Sequence, residues 1–191
     1  PDRHMTRPRG RPHRDKAPAS RDQILTAALE LLDTGGIEAF TMRALADRLQ
    51  VNPMTIYHHF GDRDGLIDAL SEHVYAEVSA PAAGTFHDRI RSLLLAYHDR
   101  VLSHPGLTLL IFSQPAVFPR QAQRITDDID RLLVEAGLPS ARSRLWLNIL
   151  VDFTHGAAIA AAMGDRSNSV VSGAKDDYDN TLTELLKGIE T

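Results

Sequence analysis

Tyr57-His58-His59-Phe60 is the densest run of hydrogen-bonding rings in the chain, and Arg43, Thr55 and Arg63 lie close by in sequence. Hydroxyl, phenol and ring N–H groups donate to phosphate oxygens. A guanidinium pairs with phosphate or a guanine edge, and Met or Thr methyls fit a thymine methyl. The same residue types also serve acid–base or metal chemistry. The chain has nine His but no Cys, which removes thiolate catalysis, disulfides and sulfur-ligated zinc. No HExxH or GxSxG stretch occurs. His58 and His59 are adjacent, so on a helix their rings point apart and share a metal poorly. His98, His104 and the Asp152/His155 pair have no recognised ligand spacing. No metal or cofactor is expected, and an enzyme is the reading these residues support least.

Charge is unevenly placed. The net charge is −4 over 191 residues, yet residues 1–16 hold six basic and two acidic side chains. A basic arm on an acidic protein points to a polyanion met at one end, or to a solvated tail. Pro1, Pro8, Pro12, Pro18 and Gly10 leave residues 1–19 nothing to pack, so a flexible arm is expected there, with Met5 as the natural start. No apolar run approaches the ~18 residues that span a bilayer. No apolar stretch follows the basic N-terminus. The expectation is a soluble, cytoplasmic protein.

From Ser20 onward the apolar period is helical. Ser20 and Gln23 form a capping box ahead of Ile24, Leu25, Ala28, Leu31 and Leu32, and Gly35-Gly36 stops that helix. Thr41 caps a second helix, Asn52-Pro53 starts a short third, and Asp62 caps a fourth, running to about residue 80. Longer stripes follow at 86–101, 107–112, 125–133 and 140–163, Ser140 capping the last of these. A loop is expected over 164–174 and a final helix over 174–189. No period-2 run signals a strand. The fold class is all-α, about nine helices: a lobe over 20–81 and a larger one over 82–191.

Thr41 to Leu49, a short break, and Pro53 to His59 have helix-turn-helix spacing. In such a pair the second helix enters the major groove while the first crosses the backbone. Ile56 and Phe60 would anchor it, leaving Pro53, Met54, Thr55, Tyr57 and His58 outward. On spacing alone, an ordinary helical hairpin fits equally well.

The stretch Ile24 to Leu70 closely resembles the DNA-binding domain of the tetracycline-repressor (TetR) family. Thr41 opens the second helix, Leu45-Ala46 follows, and the Tyr57-His58-His59-Phe60 box precedes Arg63. The resemblance implies a homodimeric, ligand-responsive transcriptional regulator, a repressor on a palindromic double-stranded DNA operator. By position it puts Arg43 and Thr55 against the operator, Arg43 at a base edge. Tyr57 and His59 fall on phosphate, and Arg63 stands where the family usually has Lys. Thr41, Met54 and His58 complete the candidate DNA surface. Pro53 and Met54 stand where many members carry polar residues, so apolar or shape readout carries more weight. In the arm, Arg7-Pro8-Arg9-Gly10-Arg11-Pro12 resembles an AT-hook core. Arg7, Arg9 and Arg11 then either enter the minor groove or act as nonspecific cations.

The long helix over 140–163 is apolar on more than one face. Gly156, Ala160 and Gly164 fall at i, i+4, i+8 and admit a close helix, from the same chain or another. Asp152 and His155 argue against a membrane span. The resemblance implies dimerisation through 140–164 and 174–189. It also implies a cavity for a small-molecule effector, largely apolar. Tyr97, Leu109, Phe112, Trp146 and Phe153 are candidates for its wall, and His98, Asn148, Asp152 and His155 for its polar contacts; any one of them also fits plain core. The helix over 63–80 is expected to be the only link between lobes, with Val78 facing the cavity. A DNA-binding protein without an effector is the alternative.

Overall fold

Ser20 and Gln23 start the first helix by exchanging hydrogen bonds. The Gln23 N–H reaches Ser20 Oγ at 3.2 Å and the Ser20 N–H reaches Gln23 Oε1 at 2.8 Å. The computed structural model describes residues 19–114, 118–164 and 168–190. Over these residues it has α1 (Arg21–Ala39), α2 (Met42–Leu49), α3 (Pro53–Phe60), α4 (Arg63–Tyr75), α5 (Phe86–Ser103), α6 (Pro105–Phe112), α7 (Arg120–Glu135), α8 (Ser140–Met163) and α9 (Asn168–Lys187). A 3₁₀ turn, Gly188–Glu190, ends it. Among the described residues there is no strand, so the all-α reading holds. Arg7, Arg9 and Arg11 lie outside the described residues.

The apolar stripes meet as expected. Ile24 and Leu32 of α1, Leu45 of α2, Ile56 of α3 and Leu66 and Leu70 of α4 are buried together. The same core runs on without a break into Ile90 and Leu94 of α5, Leu107 of α6 and Ile129 of α7. Gly36 breaks α1 where the sequence puts the stop, at φ 69°, and the chain turns through Phe40 into α2.

Four expectations are corrected. First, α4 ends at Tyr75 instead of near residue 80. The Arg124 guanidinium donates to the carbonyls of Tyr75 and Val78, at 3.1 and 2.8 Å, and satisfies the helix end. Second, Ser140 is the first residue of α8, not its cap; Pro139 holds the cap position. Third, α9 starts at Asn168, several residues before the expected 174. Fourth, α4 is not the only link between lobes. α6 packs directly on α1. A Cβ on Gly106 would lie 2.8 Å from the Leu32 carbonyl oxygen, so only glycine allows this approach. His104 Nδ1 adds a contact to the Asp33 carboxylate at 2.9 Å.

α8 is long and apolar enough to cross a membrane by length and composition alone, contrary to the sequence expectation. Only part of that apolar surface is buried within the chain. It rests on α5 and α7 and touches α9. The remaining face, with Leu145, Ile149, Gly156, Ala160 and Met163, is exposed.

Candidate nucleic-acid interface and interior cavity

Local caps set the geometry of α2 and α3. Thr41 Oγ1 accepts from the Ala44 N–H at 3.1 Å, which leaves its own O–H proton free to donate. Gln50 turns the chain in the left-handed region at φ 56°. Asn52 Oδ1 accepts from the Met54 N–H at 2.9 Å, and Pro53 opens α3. Asp62 Oδ1 then caps α4 through the Gly65 N–H at 2.7 Å. A Cβ on Gly65 would overlap the Phe60 carbonyl oxygen at 2.0 Å, so glycine is needed where α4 leaves α3.

Ile56 and Phe60 face inward and hold α3 against α1 and α4. Met54 is 62% exposed. Thr41, Arg43, Tyr57 and His58 are exposed, and Thr55 is half-buried. Arg63 lies half-buried over the Phe40 ring, 5.5 Å from its centre. Arg48, on the same helix as Arg43, is engaged by Glu30 at 2.6 Å.

His59 differs from the sequence expectation. Its Nε2 lies 3.1 Å from the Ala19 carbonyl, so this nitrogen is engaged by the backbone just ahead of α1 instead of by phosphate. Arg21 joins the same junction. It donates to the His59 carbonyl at 3.2 Å and stacks over Phe60 at 4.6 Å. Ala19 and Arg21 are therefore both fastened to the end of α3. Spacing did not reveal Arg21 in this role, because the contact joins residues far apart in sequence.

A cavity of about 110 Å³ lies among α4, α5, α6, α7 and α8. Tyr75, Tyr97, Phe112 and Phe118 supply rings, Ile111, Ala122, Ile125 and Val151 supply aliphatic wall, and Thr108, Thr126 and His155 supply polar atoms. Arg120 secures α7 beside it through bonds to Asp68 of α4 at 3.0 and 2.9 Å. Burial raises the Asp68 carboxyl, but those bonds outweigh it and hold the group below the usual carboxylate range.

Of the nine expected cavity residues, Tyr97, Phe112 and His155 line it. The other six lie elsewhere. His98 stacks on Tyr178 at 3.9 Å and Phe153 lies parallel to Tyr178 at 5.3 Å. Trp146 sits beside Gly188. Asn148, Asp152 and Leu109 are exposed. Val78 is buried but does not face the cavity; Tyr75 takes that place. Among the described residues no group of three or more His, Asp or Glu is placed to hold a metal ion.

Tyr97 Oη and His155 Nε2 are 2.6 Å apart, with the Phe112 ring edge-on to the imidazole at 4.7 Å. Burial pushes the His155 imidazole down to about 4, against a smaller upward pull from Asp152. Burial also raises the Tyr97 phenol, and pushes Tyr75 up to about 12. The site is therefore neutral at pH 7. As pH falls from about 6.5 towards 4, unfolded chains take up a proton that folded His155 refuses, so stability falls. At the low end the loss is on the order of 3 kcal/mol. His155→Gln is expected to flatten the pH dependence of urea midpoints in that window; an unchanged slope would show that His155 is not buried neutral.

A profile of bacterial regulatory proteins of the tetR family matches residues 24–70. The chain is 32% identical over 113 residues to an HTH-type transcriptional regulator of Saccharopolyspora erythraea, covering 58% of this chain and 48% of that protein. It is 32% identical over 154 residues to tetracycline repressor protein class A from transposon 1721 of Escherichia coli, covering 74% of this chain and 67% of that one. Among solved structures, a TetR transcriptional regulator from Streptomyces coelicolor matches with a TM-score of 0.67 at 27% identity. That match covers 90% of this chain and 98% of the other. The match thus spans about half the length of the first relative and two thirds of the second.

Proposed function

The chain belongs to the tetracycline-repressor family of bacterial regulatory proteins, and from that premise we propose that it is a ligand-responsive transcriptional repressor. It binds a palindromic operator as a homodimer, in the cytoplasm, and a small molecule in the interior cavity releases it. It carries out no catalysis. The helices over 20–81 meet DNA, and those over 82–191 sense the ligand and pair the subunits.

The observation that carries this reading is the α2–α3 surface. Arg43, Met54, Tyr57 and His58 project from two short helices whose other sides are buried in the core. Such a surface offers a guanidinium, a phenol and an imidazole to phosphates and base edges, with an apolar tip at Met54. Pairing is supported by the open apolar face of α8. Release is supported by the cavity walls: Tyr75 is the last residue of α4, and Thr108 lies on α6, which is locked to α1. A ligand that favours one spacing of the two recognition helices shifts the balance by its differential affinity.

The test is titration of an operator selected from random duplexes. Arg43→Ala combined with Tyr57→Phe is expected to weaken binding about tenfold or more and to lower the salt slope. Both side chains are exposed, so the melting temperature should hold. Unchanged affinity would sink the assignment of this surface.

A further inference from the structure

The cavity's own chemistry narrows its ligand, given the reading of it as the effector site. Three observations bear on this. Among the described residues none of its lining side chains is Asp, Glu, Lys or Arg, and His155 is held neutral by burial. An ionised ligand would lose much of its hydration against these walls and find no counter-charge on them.

The second observation is a spare proton. Tyr75 Oη and Thr108 Oγ1 are 3.0 Å apart, both residues are buried, and either atom can be the donor. Two hydroxyls carry two protons, and the bond between them uses one. The other has no acceptor among the described residues, and both side chains line the cavity. A buried donor without a partner is costly, so an acceptor atom on a ligand gains there.

The third is size. The 110 Å³ volume is on the scale of a space that holds one aromatic ring, and well below the several hundred Å³ of drug-sized sites. Tyr97, Phe112 and Phe118 offer ring faces and edges to such a molecule.

We propose that the cavity takes an uncharged, single-ring aromatic molecule whose hydrogen-bond acceptor receives the spare proton of the Tyr75–Thr108 pair.

Benzamide, benzoate and benzamidine share one shape and differ in charge, and toluene lacks the acceptor. Calorimetric titration of the full chain at pH 7 is expected to rank benzamide first. Benzoate and benzamidine should bind about tenfold or more weaker, and toluene should fall between. Removing both hydroxyls with Tyr75→Phe/Thr108→Val should bring benzamide down to the toluene level and leave toluene unchanged. Ala122→Phe, which fills the space, should abolish all binding. Equal affinity for the three charge states overturns the proposal. So does benzamide binding that survives Ala122→Phe, and so does no binding of any probe at millimolar concentration. Operator affinity is measured alongside. Benzamide bound with the expected ranking but without release of the operator would support the ligand class and defeat the effector reading.

Discussion

Tyr178→Ala is expected to cost about 3–5 kcal/mol of stability, the usual loss when a buried aromatic is cut back to a methyl. Tyr178 is 3% exposed and, with Leu182 and Leu186, is one of the buried side chains by which α9 locks onto the rest of the chain. Its ring lies nearly parallel to both His98 and Phe153. Its hydroxyl is 2.7 Å from Thr154 Oγ1 and 3.4 Å from the Leu94 carbonyl. Tyr178→Phe keeps the ring and should cost only about 1–2 kcal/mol, because Thr154 still donates to the Leu150 carbonyl. Urea unfolding at fixed protein concentration measures both, since any pairing of subunits adds a concentration term. A loss below about 1 kcal/mol for Tyr178→Ala would mean that α9 is not held in this way.

Gly156→Leu is expected to separate the subunits and to lower operator affinity by about 10²–10⁴-fold, the range over which two linked half-site contacts exceed one. The substitution is informative because it leaves the single chain undisturbed. Among the described residues nothing lies within 4 Å of a Cβ built at Gly156, and leucine is a better helix former than glycine by up to about 1 kcal/mol. Any defect therefore comes from a surface outside the protomer. Leu145, 60% exposed, and Ile149 continue the same face, so the new side chain would stand where a second α8 has to approach. Sedimentation and operator titration read the outcome together. A Gly156→Leu protein that stays dimeric with unchanged affinity would remove α8 from the contact, and a monomeric parent protein at micromolar concentration would remove the dimer.

The elements were legible where the chemistry is local. Ser20 with Gln23, Thr41 with Ala44, Asn52 with Met54 and Asp62 with Gly65 are contacts between near neighbours, and spacing alone finds them. Most of the candidate DNA surface follows from them, since the caps fix which sides of α2 and α3 turn outward. Where a distant partner intervenes, local reading fails. The ring of His59 goes to Ala19, and Ser143, not Ser140, makes the polar contact at the start of α8, donating to Asp130 at 2.6 Å. The end of α4 was misplaced for the same reason, because Arg124 arrives from another helix. The cavity was the least legible part. A helical stripe tells which residues turn inward, but not which of those meet a void. Trp146 lies beside Gly188 and Phe153 against Tyr178, whereas Tyr75 and Thr108, on different helices, meet at an empty space.

The seam at Gly106 bears on how such proteins are recombined. Exchange of reader and sensor halves between relatives treats the boundary as a linker, with each half carrying its own fold across it. Here the backbone of α6 is seated in α1 as closely as two strands of one rope, and residue 104 is paired with residue 33. A graft cut in the 76–85 stretch would bring a foreign α6 against a native α1. Its success would be decided less by the linker than by whether the incoming helix carries a glycine at that crossing. Matching that one residue pair is the requirement for portability that the fold imposes.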